Sequence, residues 1–374
     1  MKLENPFAEY GYFGSEYFCD REKETETLID ALRNGSNVTL MAPRRIGKTG
    51  LIHHVFEQMK AHDKHVQCFY VDIFPTKTFA QMVQFMANAI MGKLDTPSQS
   101  VKRKLNNLVA SLRPVLTPDP ITGVPSFSFS VVAENARETL NQVFQYIKES
   151  EQQCYIAIDE FQQISQYSEI GADAFIRSII QFVPNVHIIF SGSQQHLLAD
   201  MFMSPQHPFF NSSQIMTIGE IEISKYHEFA DNFYRRQGRE MPLDVFTYLY
   251  NMVDGQTWYV QKILNRLYRT SKETLSKESV DRVVADIIAE QETNYQSSYN
   301  LLTENQALLL TAIAKRGVVS APTSHDFISQ YRLPAPSSVK MALQTLKDRE
   351  FVYQRPNGEC LVYDRFFGMW LKRL

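Results

Sequence analysis

Two short stretches of this 374-residue chain combine residue types that handle phosphate. In the first, Gly47-Lys48-Thr49 follows a predicted strand at 36–41 and opens a predicted helix at 48–60. This arrangement is typical of a loop whose backbone N–H groups and helix N-terminus surround phosphate oxygens. The predicted phosphate-binding residues are Ala42, Pro43, Arg44, Arg45, Ile46, Gly47, Lys48, Thr49 and Gly50.

One position in this loop departs from the usual Gly-x-x-x-x-Gly-Lys-Ser/Thr pattern, because Ala42 replaces the first Gly. Alanine tolerates positive φ poorly, so the loop requires ordinary backbone angles at this position. We expect Lys48 to place a point charge against the β- and γ-phosphates and to take part in catalysis. We expect the Thr49 hydroxyl to ligate Mg²⁺.

The second stretch, at 154–160, is a short apolar strand that ends in Asp159-Glu160. Such a continuous run is typical of a strand buried on both faces. Asp159 is predicted to hold Mg²⁺, and Glu160 to orient and deprotonate the attacking water. Adjacent acidic residues here also indicate the subclass with an extra strand between the loop strand and the acidic strand, and residues 66–74 are a candidate for it.

A third apolar strand, at 186–193, ends in small polar residues. We predict that a catalytic side chain here faces the γ-phosphate, either Ser191 or Ser193, with Gln194 as a further candidate. The alternative is that Ser-Gly-Ser after a strand is an ordinary turn. Residues 214–218 supply a fifth strand. Together these elements predict an α/β fold: a P-loop NTPase of the ASCE/AAA-like type, with a parallel sheet and helices on both faces.

Five segments, at 18–24, 43–49, 158–162, 190–193 and 363–371, resemble the archaeal-type ATPase family, which is related to origin-recognition and STAND ATPases. The resemblance implies ATP and ADP as ligands, with Arg21 and Phe18 (or Cys19) near the base. It also implies a helical lid at 221–300 after an ATPase core at 1–220. Arg235 and Arg236 are candidate γ-phosphate sensors or trans fingers, but a surface pair is the simpler interpretation.

An insertion at about 95–130 interrupts the core and carries the basic residues Lys102, Arg103 and Lys104. This cluster is either a polyanion contact or, more simply, a solvated helix face. The alternating pattern at 126–131 predicts a strand with one apolar face.

The pattern of residues 301–374 predicts a winged helix, with three helices followed by a hairpin that has an Asn-Gly turn. Leu308 is predicted on the inner face of the first helix, and Ser337 is predicted to cap the third. Ten Lys/Arg against six Asp/Glu give this segment a charge of +4. Lys340, Lys347 and Arg355 are candidate DNA contacts, while docking of a protein or of another part of the chain remains the alternative.

The whole chain carries a net charge of −3, so no global attraction to nucleic acid or anionic lipid is expected. Four scattered cysteines lack metal or redox spacing, and no apolar run is long enough for a membrane span. These features predict a cytoplasmic location without membrane contact. The predicted function is an ATP-driven switch with a winged-helix output that acts on DNA, a protein partner or a second copy. The alternatives are a nucleotide-gated regulator with little turnover and a toxin–antitoxin-like or defence component.

Overall fold

A central parallel sheet organises the first part of the molecule. The computed structural model describes residues 3–91, 93–94, 112–118, 125–270, 275–355 and 357–374, and this part of the chain divides into two compact units. The first unit spans residues 10–226, and the second comprises residues 3–9 with 227–374. No helix in the described ranges is long and apolar enough to cross a membrane.

The sheet of the first unit contains five parallel strands in the order β2-β5-β6-β1-β7. Its strands are β1 (Val38–Met41), β2 (Gln67–Asp72), β5 (Cys154–Asp159), β6 (Val186–Gly192) and β7 (Gln214–Thr217). The predicted parallel P-loop sheet is therefore confirmed. The strand at 66–74 does lie between β1 and β5 in the chain, but in the sheet β6 separates them and β2 forms the edge.

Helices cover both faces of this sheet, as predicted. They are α1 (Glu22–Arg33), α2 (Lys48–His62), α3 (Phe79–Ile90), α4 (Ala136–Ser150), α5 (Ala172–Ile180) and α6 (Gln195–Met203). Successive side chains of β5 point to opposite faces: Ile156 packs in the core with α3 to α6, whereas Ala157 packs with α1 and α2. This double burial explains why β5 reads as a continuous apolar run.

Two further strands, β3 (Leu112–Pro118) and β4 (Pro125–Val131), pair in antiparallel register outside the main sheet. The second of them matches the strand predicted from the alternating pattern. The predicted basic cluster at 102–104 lies outside the described residues.

The second unit is mostly helical. After α7 (Ile223–Arg235), which begins in the first unit, it contains α8 (Leu243–Met252), α9 (Thr257–Thr270), α10 (Lys277–Glu290) and α11 (Glu292–Asn300). The winged helix follows with α12 (Glu304–Arg316), α13 (His325–Tyr331), α14 (Pro336–Asp348), the hairpin β8 (Val352–Gln354) and β9 (Cys360–Val362), and α15 (Arg365–Leu371). An isolated bridge between Val319 and Cys360 extends the hairpin.

Two details of the predicted winged helix were wrong. The N-cap of α14 is Ala335, with Pro336 at the first helical position, so Ser337 lies inside the helix and does not cap it. Leu308 is 43% exposed, whereas Leu309 and Leu310 are fully buried. The three consecutive leucines fit more than one helical face, so the pattern alone does not show which two of them are buried.

Candidate functional site

The loop between β1 and α2 contains two residues in left-handed backbone. Left-handed backbone falls on Arg45 (φ 67°) and Gly47 (φ 98°). Ala42 is fully buried outside that region, and its N–H lies 3.4 Å from the carbonyl oxygen of Gly192. The alanine that replaces the usual glycine is therefore accommodated without positive φ.

Lys48 joins this loop to the acidic end of β5. Its side chain is 8% exposed, with Nζ 2.6 Å from Asp159 Oδ1 and 3.2 Å from Glu160 Oε1. Thr49 Oγ1 donates to Asp159 Oδ2 at 3.2 Å. Because β1 and β5 run parallel, their carboxyl ends meet at one edge of the sheet. The fold thus brings together the four residues that the two sequence motifs predicted.

The carboxylate of Asp159 accepts hydrogen bonds from three further donors. Ser191 Oγ lies 2.6 Å from Oδ1, Tyr70 OH lies 2.5 Å from Oδ2, and the Glu160 N–H lies 2.9 Å from Oδ1. Burial alone would raise the pKa of Asp159, but Lys48 and the hydroxyl donors hold it below its ordinary value. Burial and the adjacent carboxylate raise the pKa of Tyr70, so its phenol remains a proton donor.

Glu160 sits in left-handed backbone (φ 56°) directly after the strand. Its Oε2 accepts from Gln162 Nε2 at 2.6 Å, from Ser193 Oγ at 2.9 Å and from the Ser193 N–H at 3.3 Å. Arg44 Nε in turn donates to Ser193 Oγ at 3.3 Å. This arrangement connects Glu160 both to the end of β6 and to the phosphate-binding loop.

The sequence predicts that Ser191 or Ser193, with Gln194 as a further candidate, faces the γ-phosphate; in the structure Ser191 Oγ donates to Asp159 and Ser193 Oγ donates to Glu160. A phosphate contact by Ser191 stays a prediction. Tyr70 and Gln162 were not predicted as site residues. For Tyr70 the available signal was its position on the strand that pairs with β5, two residues before that strand ends.

The two residues predicted near the base have well-defined protein contacts. Arg21 is 2% exposed and donates to the carbonyl oxygens of Ile46, at 2.9 Å, and Gly219, at 2.8 Å. Arg21 thereby connects the loop before α2 to the chain at Gly219. The Phe18 ring stacks on His54 at 4.3 Å and lies against Gly50 at the start of α2. A base contact by either residue stays a prediction.

The basic residues predicted to act outside the loop are engaged within the second unit. Arg235 pairs with Asp231 at 2.6 Å, and Arg236 lies over the Phe233 ring at 4.6 Å. Lys347 donates to Gln354 at 2.8 Å. Arg355 pairs with Glu359 at 3.0 Å and Asp254 at 3.4 Å, while Lys340 is exposed on α14. Their sensor and DNA roles stay predictions.

The donor set at the end of β5 fits Mg²⁺. The Thr49 hydroxyl and the Asp159 carboxylate are hard oxygen ligands held 3.2 Å apart. In the described ranges, no group of three or more His, Cys, Asp or Glu residues is arranged to hold a metal.

Comparison with known proteins agrees with this geometry. Residues 18–263 match the family model described as an ATPase domain predominantly from Archaea, and residues 293–373 match a probable winged helix domain. An uncharacterized ATP-binding protein of Methanocaldococcus jannaschii is 24% identical over 288 residues, which cover 69% of this chain and 72% of that protein.

Two solved structures share the fold over nearly the whole chain. The Walker-type ATPase PABY2304 of Pyrococcus abyssi has a TM-score of 0.67 at 16% identity, covering 99% of this chain and 100% of that one. The Aeropyrum pernix ORC2 protein, in ADPNP and ADP complexes, has a TM-score of 0.61 at 14% identity, covering 98% and 95%. Because the family model spans well over half of the chain and includes the whole loop and both acidic residues, the chain belongs to the family of ATPase domains found predominantly in Archaea.

Proposed function

We propose that this chain binds ATP with Mg²⁺ and hydrolyses the β–γ phosphoanhydride bond, and that the nucleotide state controls the winged helix. The observation that carries the proposal is the buried contact of Lys48 with both Asp159 and Glu160. Lys48 is also the first residue of α2, directly after the loop. This constellation supplies a cation for the phosphates, a carboxylate for the attacking water and oxygen ligands for a metal ion.

Each side chain has a defined part in this reaction. Lys48 moves from the carboxylates onto the β- and γ-phosphates and stabilises the charge that develops there. Glu160 orients the attacking water and accepts its proton, while Gln162 and Ser193 fix the carboxylate. Thr49 and Asp159 would hold Mg²⁺, which when bound neutralises charge on the phosphate oxygens. ATP as the nucleotide is supported by the name of the Methanocaldococcus relative and by the nucleotides in the Aeropyrum structure.

The alternative is a nucleotide-gated regulator with little turnover. One observation favours it: both oxygens of Glu160 are already engaged, by Lys48 on one side and by Gln162 and Ser193 on the other. A base held this firmly must be released before it can take a proton. The output is open in either case, because a winged helix docks on DNA or on protein.

Steady-state phosphate release from ATP separates these functions, measured for wild type and Glu160→Gln with and without duplex DNA. We expect measurable wild-type turnover and a loss of about 100-fold or more in the variant, because the amide cannot accept the proton. Stimulation by DNA would assign the output to nucleic acid. Glu26→Gln, an exposed change on α1, is the matched control. A Glu160→Gln protein that hydrolyses at the wild-type rate would contradict the assignment, and wild type without turnover but with ATP binding would favour the regulator.

A further inference from the structure

The two strands that flank β5 each contribute a hydroxyl to the same carboxylate. From β2, Tyr70 OH donates to Asp159 Oδ2 at 2.5 Å, and from β6, Ser191 Oγ donates to Oδ1 at 2.6 Å. The parallel register pairs Tyr70 with Ala157, so the long phenol must reach two positions along β5 to meet Asp159. Each carboxylate oxygen is thus fixed by a donor from a different neighbouring strand.

The donors to the Asp159 carboxylate differ in whether the proposed function leaves them in place. Asp159 receives five in this state: Lys48, Thr49, Ser191, Tyr70 and the Glu160 N–H. The proposed function assigns Lys48 to phosphate, which removes that contact, and the Thr49 oxygen to the cation, so the direction of the Thr49 hydroxyl then depends on the cation. Ser191 and the Glu160 N–H both act on Oδ1. Of the two donors that act on Oδ2, Tyr70 is then the one whose position does not depend on the cation.

We propose that Tyr70 is a positioning residue that fixes the rotation of the Asp159 carboxylate for cation binding. Without the phenol, Oδ1 stays anchored while Oδ2 keeps only the Thr49 hydroxyl, whose oxygen must itself move to the cation. Preorganised ligand orientation is what outer hydrogen-bond partners of metal ligands supply. The inference rests on the proposed function, because it concerns the Mg²⁺-dependent part of ATP binding at that site.

The test compares ATP affinity in Mg²⁺ with ATP affinity in EDTA, by calorimetric titration of the full chain. The ratio of the two affinities isolates the contribution of the cation from that of the loop and Lys48. The variant is Tyr70→Phe, which removes only the hydroxyl. Tyr248→Phe is the matched control, because Tyr248 OH also donates to a carboxylate, Asp281 Oδ1 at 2.7 Å, in the other unit.

We expect Tyr70→Phe to bind ATP in EDTA as wild type does and to lose about ten- to 100-fold of the gain in affinity that Mg²⁺ provides, the size of one hydrogen bond to a charged group. Tyr248→Phe should keep the full gain. An unchanged Mg²⁺ gain in Tyr70→Phe would overturn the proposal. An equal loss in Mg²⁺ and in EDTA would also overturn it, because that pattern indicates a merely structural hydroxyl. Failure of wild type to bind ATP in either buffer would instead contradict the proposed function itself.

Discussion

At the scale of single residues, the site places opposite charges in contact in a buried position. Lys48 and Asp159 are almost fully buried, and their 2.6 Å contact offsets the cost of removing both charges from solvent. The depressed pKa of Asp159 keeps that carboxylate ionised, as a cation ligand requires. Under the proposed function, Lys48 exchanges the carboxylate oxygens of Asp159 and Glu160 for phosphate oxygens when ATP binds.

The close packing behind Glu160 leads to a prediction for Gly192→Ala. A Cβ at position 192 would lie 2.0 Å from Gln162 Oε1 and 2.8 Å from Leu198 Cδ1, and Gln162 is 3% exposed and has little room to move. We expect the free energy of unfolding to fall by about 1–3 kcal/mol, with reduced ATP turnover because Gln162 is displaced from Glu160. Urea denaturation and phosphate release measure the two effects.

Gly219→Ala is the matched control for this change, because a Cβ there meets nothing within 4 Å. It should leave the unfolding free energy within about 0.5 kcal/mol of wild type. Wild-type stability and turnover in Gly192→Ala would show that Gln162 is not held as the structure indicates.

The sequence could predict the residues of this site whose roles are local. Lys48 and Thr49 follow from one loop motif, and Asp159 and Glu160 from one strand end. Tyr70 and Gln162 could not be identified in the same way, since their partners are set by which strand neighbours β5 and by the left-handed turn at Glu160. Such contacts depend on tertiary structure rather than on spacing.

At the scale of elements, an ion network joins the turn after α8 to the winged helix. Asp254 stands in left-handed backbone (φ 50°) before Gly255, where a Cβ would lie 2.4 Å from the Tyr250 ring. Its Oδ2 lies 3.2 Å from Arg365 and 3.4 Å from Arg355. Arg365 is only 10% exposed, so Asp254 compensates a nearly buried charge.

We predict that Asp254→Ala destabilises the second unit by about 1–3 kcal/mol. The value lies below that for a fully buried pair because the Asp254 side chain is 39% exposed. Chemical denaturation followed by tryptophan fluorescence reports on this unit directly, since Trp258 and Trp370 both lie in it.

Asp244→Ala provides the comparison, because its pair with Lys277, at 3.6 Å, is exposed on both sides. That change should cost less than about 0.5 kcal/mol. Equal effects of the two substitutions would mean that the Asp254 network contributes no more than a surface ion pair.

Element types followed well from the sequence, but details of packing did not. The five parallel strands and the wing hairpin have strong periodic or turn signals. The position of β6 between β1 and β5 and the exposure of Leu308 depend on how the elements pack. The predicted cap at Ser337 was wrong because Pro336 is suited to the first helical position, so α14 begins at Pro336.

At the scale of the whole molecule, an ATPase domain and a winged helix lie on one chain. Two of the predicted DNA contacts have partners within the second unit, since Arg355 pairs with Asp254 and Glu359 and Lys347 donates to Gln354. Of the three predicted DNA contacts, Lys340 is exposed, whereas Lys347 and Arg355 are partly buried. The sequence could not identify the output, because the same winged-helix pattern serves DNA and protein partners.

The proposed ATP site joins the loop of Lys48 to Asp159 and Glu160. Titration of ATP in Mg²⁺ into wild type, Lys48→Ala and Lys60→Ala tests whether these residues form one site, with thermal melts confirming that each protein is folded. Lys60 is an exposed lysine on the same helix and serves as the matched control. We predict that Lys48→Ala weakens binding by about 100-fold, as expected for loss of a charge against phosphate, and that Lys60→Ala binds as wild type does. Unchanged affinity in a folded Lys48→Ala protein would contradict the account.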